Sequence, residues 1–131
     1  MTMNTICIVD DDKIYQLTTK RLLERINATK NILVFSDGEE AYEYITEKIR
    51  EEDALPDVIF LDINMPCMNA WEFLDAYNEI KPRLAKKIII YIISSSISDT
   101  DIQRAKEIEH VKDYCVKPVS IDKYVEILKT A

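Results

Sequence analysis

The sequence predicts an α/β fold: a doubly wound parallel sheet of (βα)5 plan in a single domain spanning 1–131. Three observations carry this. Five short β-branched runs punctuate the 131 residues, and helical periodicity fills the stretches between them. The length suits one hydrophobic core. There is a single glycine, Gly38, and no repeat or Gly/Ser linker marks a domain boundary.

The first strand is expected over 5–9, with Asp12 as the N-cap of the helix behind it. The second covers 31–35, and Ser36-x-x-Glu39 reads as the start of a helix carrying Ala41, Tyr44, Ile45 and Ile49 on its apolar face. The charged run 47–53 is the solvated end of that helix. The third strand occupies 57–61. Asn69-x-x-Glu72 opens the next helix, whose Ala70, Phe73, Leu74 and Tyr77 share a face, with Trp71 and Tyr77 as core or groove residues. Strands over 87–93 and 112–116 follow. Ile121, Tyr124, Val125 and Leu128 form the apolar stripe of the last helix. All five strands read as buried on both faces, and right-handed crossovers then put helices on both sides of the sheet.

Composition narrows the function classes. A net charge of −7 argues against nucleic acid, whose binding rests on clustered Lys and Arg. The apolar run Ile88–Ile93 is too short to span a bilayer, and the N-terminus lacks a signal-peptide layout, so the chain reads as cytoplasmic with no membrane partner. Cys7, Cys67 and Cys115 form no CxxC pair and read as small buried hydrophobes in a reducing compartment. With His110 as the lone histidine, a zinc site of N/S type cannot be assembled; His110 itself reads as a loop residue. Oxygen ligands remain, and these suit Mg²⁺ or Ca²⁺.

The chemistry-bearing residues each follow a strand. In a parallel α/β sheet the carboxyl ends of the strands open onto one crevice, so Asp10-Asp11-Asp12, Asp62, Ser94 and Lys117 should converge there. A helix cap explains one acidic residue of the triplet, not three. Charges about 4 Å apart repel by roughly 4 kcal/mol at an effective dielectric near 20, so a cluster that also includes Asp62 calls for a cation. Asp62 alone reads either as a turn former before Pro66, as a protonated carboxyl, or as a nucleophile towards phosphorus. Ser94, opening Ser94-Ser95-Ser96, is by itself an ordinary loop serine. Lys117 is more telling, because an ammonium at the end of an inner strand needs an anion nearby, and Pro118 allows a cis peptide behind it.

Taken together, Val9–Asp12, Leu61–Pro66, Ile93–Ser95 and Tyr114–Pro118 resemble, in order and spacing, the receiver domain of two-component response regulators, across essentially the whole chain. The resemblance implies a flavodoxin-like sheet of strand order 2-1-3-4-5, a topology known from a chemotaxis receiver. It implies Asp62 as phosphoacceptor, with Mg²⁺ held by Asp11 and Asp62, by the backbone carbonyl of Asn64, and by Asp10 in support, partly through water. Lys117 would pair with the phosphoryl oxygens. Ser94 would be the switch hydroxyl and Tyr114 the switch aromatic, together altering the face of the fourth helix, fifth strand and fifth helix. Asn64 and Ser96 stand where relatives tune dephosphorylation. The implied partners are a sensor histidine kinase or histidine phosphotransfer protein and a downstream protein target, the chain being a monomer or a phosphorylation-dependent dimer. No output domain is expected, and the chain reads as a signalling domain, not an enzyme.

Two departures from the family pattern stand out. Ala70 replaces a usual glycine and tolerates positive φ poorly, so a differently shaped or strained loop is expected. Glu109–Val111 replaces a frequent Leu-Gly turn. Competing readings fit less well. A phosphatase with an aspartyl-phosphate intermediate would place Asp-x-Asp after the first strand and need a cap. A flavodoxin-like FMN site would meet repulsion from Asp10-Asp11-Asp12. A receiver-like module that binds partners without phosphorylation is the remaining alternative, disfavoured by the intact acidic cluster and Lys117.

Overall fold

Continuous apolar runs build the sheet. In the computed structural model, which describes residues 3–130, the strands are β1 (Met3–Val9), β2 (Thr29–Phe35), β3 (Val58–Leu61), β4 (Ile89–Ser94) and β5 (Val111–Val116). They are parallel and ordered β2-β1-β3-β4-β5. The helices are α1 (Lys13–Arg25), α2 (Gly38–Glu47), α3 (Ala70–Ile80), α4 (Asp99–Lys106) and α5 (Ile121–Thr130), with a 3₁₀ turn at Lys81–Arg83.

Successive strand residues point to opposite faces, so the sheet builds two cores. Cys7, Val9, Ile59, Leu61, Ile90 and Ile92 meet α2 and α3 through Ala41, Ile45, Phe73, Leu74 and Tyr77. Ile6, Ile8, Val58, Phe60, Tyr91 and Ile93 meet α1 and α5 through Leu23, Tyr124, Ile127 and Leu128. Each fully buried Val, Leu, Ile or Phe among them contributes about 1.5–3 kcal/mol relative to leaving it exposed. The three central strands are buried on both faces as expected. β2 and β5 are not: Lys30, Asn31, Lys112, Asp113 and Val116 are exposed, because an edge strand has one neighbour. Lys117 therefore follows an edge strand, not an inner one.

Local signals set the helix starts. Asp12 caps α1, accepting from the amides of Ile14 and Tyr15, and Asn69 and Glu72 form a reciprocal capping box on α3. The start of α2 differs from expectation by one residue. Asp37, not Ser36, is its N-cap and accepts from Glu40 N, while Ser36 N donates to Glu40 Oε1 at 2.7 Å. The charged run expected at the solvated end of α2 lies past Glu47, mostly in turns. On α5 the buried stripe is Tyr124, Ile127 and Leu128. Val125 is only half-buried, and Ile121 is 38 % exposed. β4 begins at Ile89, two residues later than expected.

Two tertiary ties frame the sheet. At the amino ends of the strands, Asp57 accepts from Asn4 N (2.9 Å), Thr5 N (3.1 Å) and Lys86 Nζ (2.8 Å). Near the other end, Gly38 N donates to Met68 O at 3.0 Å, an approach so close that a Cβ on residue 38 would lie 2.7 Å from that oxygen. Cys7 and Cys115 are buried as expected, whereas Cys67 is exposed in the loop after β3.

Candidate functional site

The carboxyl ends of β1, β3, β4 and β5 deliver the site. Asp10, immediately after β1, stays in register by donating its N–H to Phe35 O at 3.0 Å, and it is 2 % exposed. Its Oδ1 accepts from Asp12 N at 2.9 Å and its Oδ2 from Lys117 Nζ at 2.6 Å. Gln16, buried on α1, turns its side-chain amide onto the Asp10 carbonyl and also donates to Ser36 Oγ at 3.3 Å. Asp62 follows β3, its N–H bonded to Val9 O at 2.9 Å, and is 9 % exposed. Asp11 is exposed at the mouth.

One carboxylate oxygen from each of Asp10, Asp11 and Asp62 lies within 4.8 Å of the others. Lys117, placed by its N–H to Ser94 O at 2.8 Å, reaches in from β5, and its Nζ is 3.7 Å from Asp62 Oδ1. The Lys117–Pro118 peptide is cis. Burial pushes the Asp62 carboxyl up to about 6, reinforced by the charge of Asp10 and only partly offset by Lys117. Burial pulls Lys117 down, but its bond to Asp10 and the charges of Asp62 and Asp10 outweigh this, so it stays above the usual lysine value. Three converging carboxylates with an oxygen-only donor set are what a hard divalent cation requires, and the residues present fit Mg²⁺.

Asp10, Asp11, Asp62 and Lys117 thus meet as the sequence indicated. Ser94 ends β4 and is 1 % exposed, with its Oγ accepting from Ser96 N at 3.1 Å. Tyr114 is half-buried and donates its hydroxyl to Ser96 O at 2.7 Å, so the serine and the aromatic are linked through Ser96. Ser96 Oγ is itself engaged with Asp101 Oδ2 at 2.7 Å. Asn64 is exposed in the turn after β3. The loop strain expected at Ala70 falls elsewhere. Ala70 is the fully buried first residue of α3, bonded to Ile63 O, and the positive φ of 62° belongs to Cys67. His110 packs on Tyr77 with ring centroids 5.1 Å apart, between α4 and β5, as a loop residue.

The pocket contacts of four residues escaped sequence reasoning. Gln16, Ser36 and Lys13, whose Nζ donates to Ser36 Oγ at 2.6 Å, brace the first loop. Tyr15 sets its ring 4.1 Å from Lys117 Nζ. Nothing in a linear sequence announces these contacts, because the start of α1 meets the end of β5 only after the sheet is ordered.

The family model described as the response regulator receiver domain matches residues 6–129. A probable methanogenesis regulatory protein, FilR2, of Methanothrix harundinacea is 27 % identical over 89 % of this chain and 74 % of its own length. The chain spans about half or less of the other curated relatives it matches, such as the nitrate/nitrite response regulator NarL of Escherichia coli. A response regulator receiver protein from Dyadobacter fermentans superposes with TM-score 0.82 at 28 % identity, covering 96 % of this chain and 95 % of that one. A two-component response regulator from Cytophaga hutchinsonii has the same fold, with TM-score 0.88 at 24 % identity over 99 % and 96 % of the two chains. No helix among the described residues is long and apolar enough to cross a membrane.

Proposed function

The chain belongs to the response regulator receiver domain family of two-component signalling, and we propose that it accepts a phosphoryl group on Asp62 from a phosphohistidine in a Mg²⁺-dependent reaction. The observation that carries this is the meeting of Asp10, Asp11 and Asp62 within 4.8 Å, with Lys117 Nζ at 3.7 Å from Asp62. The donor is a sensor histidine kinase or a histidine phosphotransfer protein.

An Oδ of ionised Asp62 attacks phosphorus. The O–P bond forms as the P–N bond breaks, and the imidazole nitrogen leaves with the electron pair. Asp62 is ionised above pH about 6, so neutral pH supplies the nucleophile. Asp11 and Asp62, supported by Asp10 and the backbone carbonyl of Asn64, would hold Mg²⁺, which would supply positive charge against the carboxylates and phosphoryl oxygens. Lys117 exchanges part of its contact with Asp10 for a phosphoryl oxygen, since positioning and charge carry phosphoryl transfer.

The new anion on Asp62 then draws Ser94 Oγ away from Ser96 N. Tyr114, bonded to Ser96 O, responds to the same loop movement. The readout is the α4-β5-α5 face, where Ala105, Lys106, Val111 and Tyr114 line a pocket of about 140 Å³. A protein target, or onward phosphotransfer, takes the signal there. The domain acts as a switch with no substrate of its own to turn over.

Intact-protein mass after incubation with acetyl phosphate and Mg²⁺ tests the proposal, with EDTA and Asp62→Asn as controls. One labile phosphoryl group, lost in both controls, is expected. Absence of the adduct, with beryllofluoride binding also absent, would leave a protein-binding module that acts without phosphorylation.

A further inference from the structure

Lys117 must do two things at once. Its ammonium has to stay beside Asp62 without being locked to a carboxylate that competes with the incoming phosphoryl oxygens. A lysine stem has four rotatable carbons and roughly 2 kcal/mol of rotamer entropy to lose, so something must hold it. Asp10 supplies one contact at 2.6 Å, and Asp62 Oδ1 lies at 3.7 Å. A further neighbour is Tyr15 on α1, whose ring centroid stands 4.1 Å from Nζ.

We infer that Tyr15 is a positioning residue for Lys117, holding the ammonium over Asp62 through the face of its ring. An aromatic face suits the task better than an acceptor oxygen would. It attracts the cation through its quadrupole and leaves the three N–H donors of the ammonium for Asp10, Asp62 and a phosphoryl oxygen. It also shields the stem from water: the Lys117 side chain is 16 % exposed although it follows an edge strand.

The ring is itself fixed. Tyr15 OH lies 2.9 Å from the hydroxyl of Tyr124 on α5, and Tyr124 is 1 % exposed and packs edge-on against Phe60 with centroids 5.2 Å apart. Ring and ammonium therefore belong to one chain of contacts from the β5 end through α1 to α5. The ring also packs against the core cluster built by β1, β3, α1 and α5, so it keeps its place without the hydroxyl.

The inference rests on the proposed phosphorylation of Asp62, and two measurements separate their fates. In the first, the Lys117 ε-methylene protons of the wild-type protein are located by NMR. A ring face at this distance shifts them upfield, Tyr15→Phe keeps the shift and Tyr15→Leu removes it. A normal ε-methylene position in the wild type overturns the inference whether or not the protein is phosphorylated. In the second, phosphoryl uptake from acetyl phosphate is timed at saturating Mg²⁺. Here Asp62 Oδ bonds to phosphorus as acetate leaves with the electron pair. Tyr15→Leu is expected to slow uptake by about threefold to thirtyfold, the range of a cation–π contact, with Mg²⁺ affinity unchanged and most of the rate recovered in Tyr15→Phe. A Leu variant as fast as wild type, a Phe variant as slow as Leu, or a parallel loss of Mg²⁺ affinity overturns it. If the wild type takes no phosphoryl group, the proposed function fails and the NMR result still decides the contact.

Discussion

Lys117 donates to Asp10 Oδ2 at 2.6 Å, so the ammonium proposed to serve a phosphoryl group on Asp62 rests first on its neighbour. The contact explains how a carboxylate as buried as Asp10 is accommodated: a buried charge needs a partner and hydrogen bonds, and Asp10 has both.

Replacing Lys117 with Ala removes the group proposed to meet the phosphoryl oxygens. Phosphoryl uptake should fall by roughly a hundredfold or more, the usual loss for one preorganised donor, while Mg²⁺ still binds. Timed mass spectrometry with acetyl phosphate reads the first and calorimetric Mg²⁺ titration the second. An unaltered rate would take Lys117 out of the mechanism.

The raised Asp62 value makes a stability prediction. The folded state holds the Asp62 proton up to pH about 6, whereas the ordinary carboxyl value is 3.8. The native protein thus binds more protons than the unfolded chain in that window, and metal-free stability falls as pH rises through it. Asp62→Asn lacks this loss. In urea titrations the variant should gain about 1 kcal/mol on wild type between pH 4 and pH 7, allowing for solvent screening. A constant difference across that range would refute the assignment.

Mg²⁺ should reverse the same penalty. At ten times its dissociation constant the cation stabilises the fold by about 1.4 kcal/mol through mass action, seen as a raised melting temperature at pH 7.5. Its affinity should drop as pH falls below about 6, where Asp62 takes up a proton. Equal affinity at pH 5 and pH 7.5 would mean that Asp62 is not a ligand.

Asp57 behaves in the opposite sense. Burial alone would raise its carboxyl, but the Lys86 ammonium and the Thr5 and Asn4 amides outweigh that and hold it below the ordinary value. Its contribution is present above the unfolded value of 3.8 and is lost as pH falls through the lowered folded value. Asp57→Asn should cost about 1–2 kcal/mol at pH 7 and flatten the acid limb of the stability curve.

Gly38 tests the tie between α2 and the loop after β3. Alanine has the better helix propensity by about 1 kcal/mol, yet its Cβ would meet Met68 O at 2.7 Å and Phe73 Cβ at 3.2 Å. Overpacking against backbone should win, destabilising Gly38→Ala by about 1–3 kcal/mol. A gain in melting temperature would show that the loop yields freely.

The residues proposed to bear the chemistry were legible because each follows an apolar run. Strand ends in a parallel sheet share one edge, so Asp10, Asp62 and Lys117 could be brought together from order alone. Helix caps were legible where a side chain serves its own backbone, as Asp12 and Asn69 do. Ser36 and Asp37 were not separable, since both are capping residues and the choice depends on where Gly38 docks against Met68.

Local sequence was enough for the alternation of strand and helix, and with it the acidic crevice, because side-chain period and apolar runs are local properties of the chain. Tertiary structure alone decided the rest. Which strands lie at the edge set the exposure of β2 and β5, and in the loop after β3 the positive φ fell on Cys67, not on Ala70. Tyr15 came to face Lys117, 102 positions away in the chain, only when the start of α1 and the loop after β5 met at the carboxyl edge of the sheet. Contacts between elements depend on packing geometry, which has no period in the sequence.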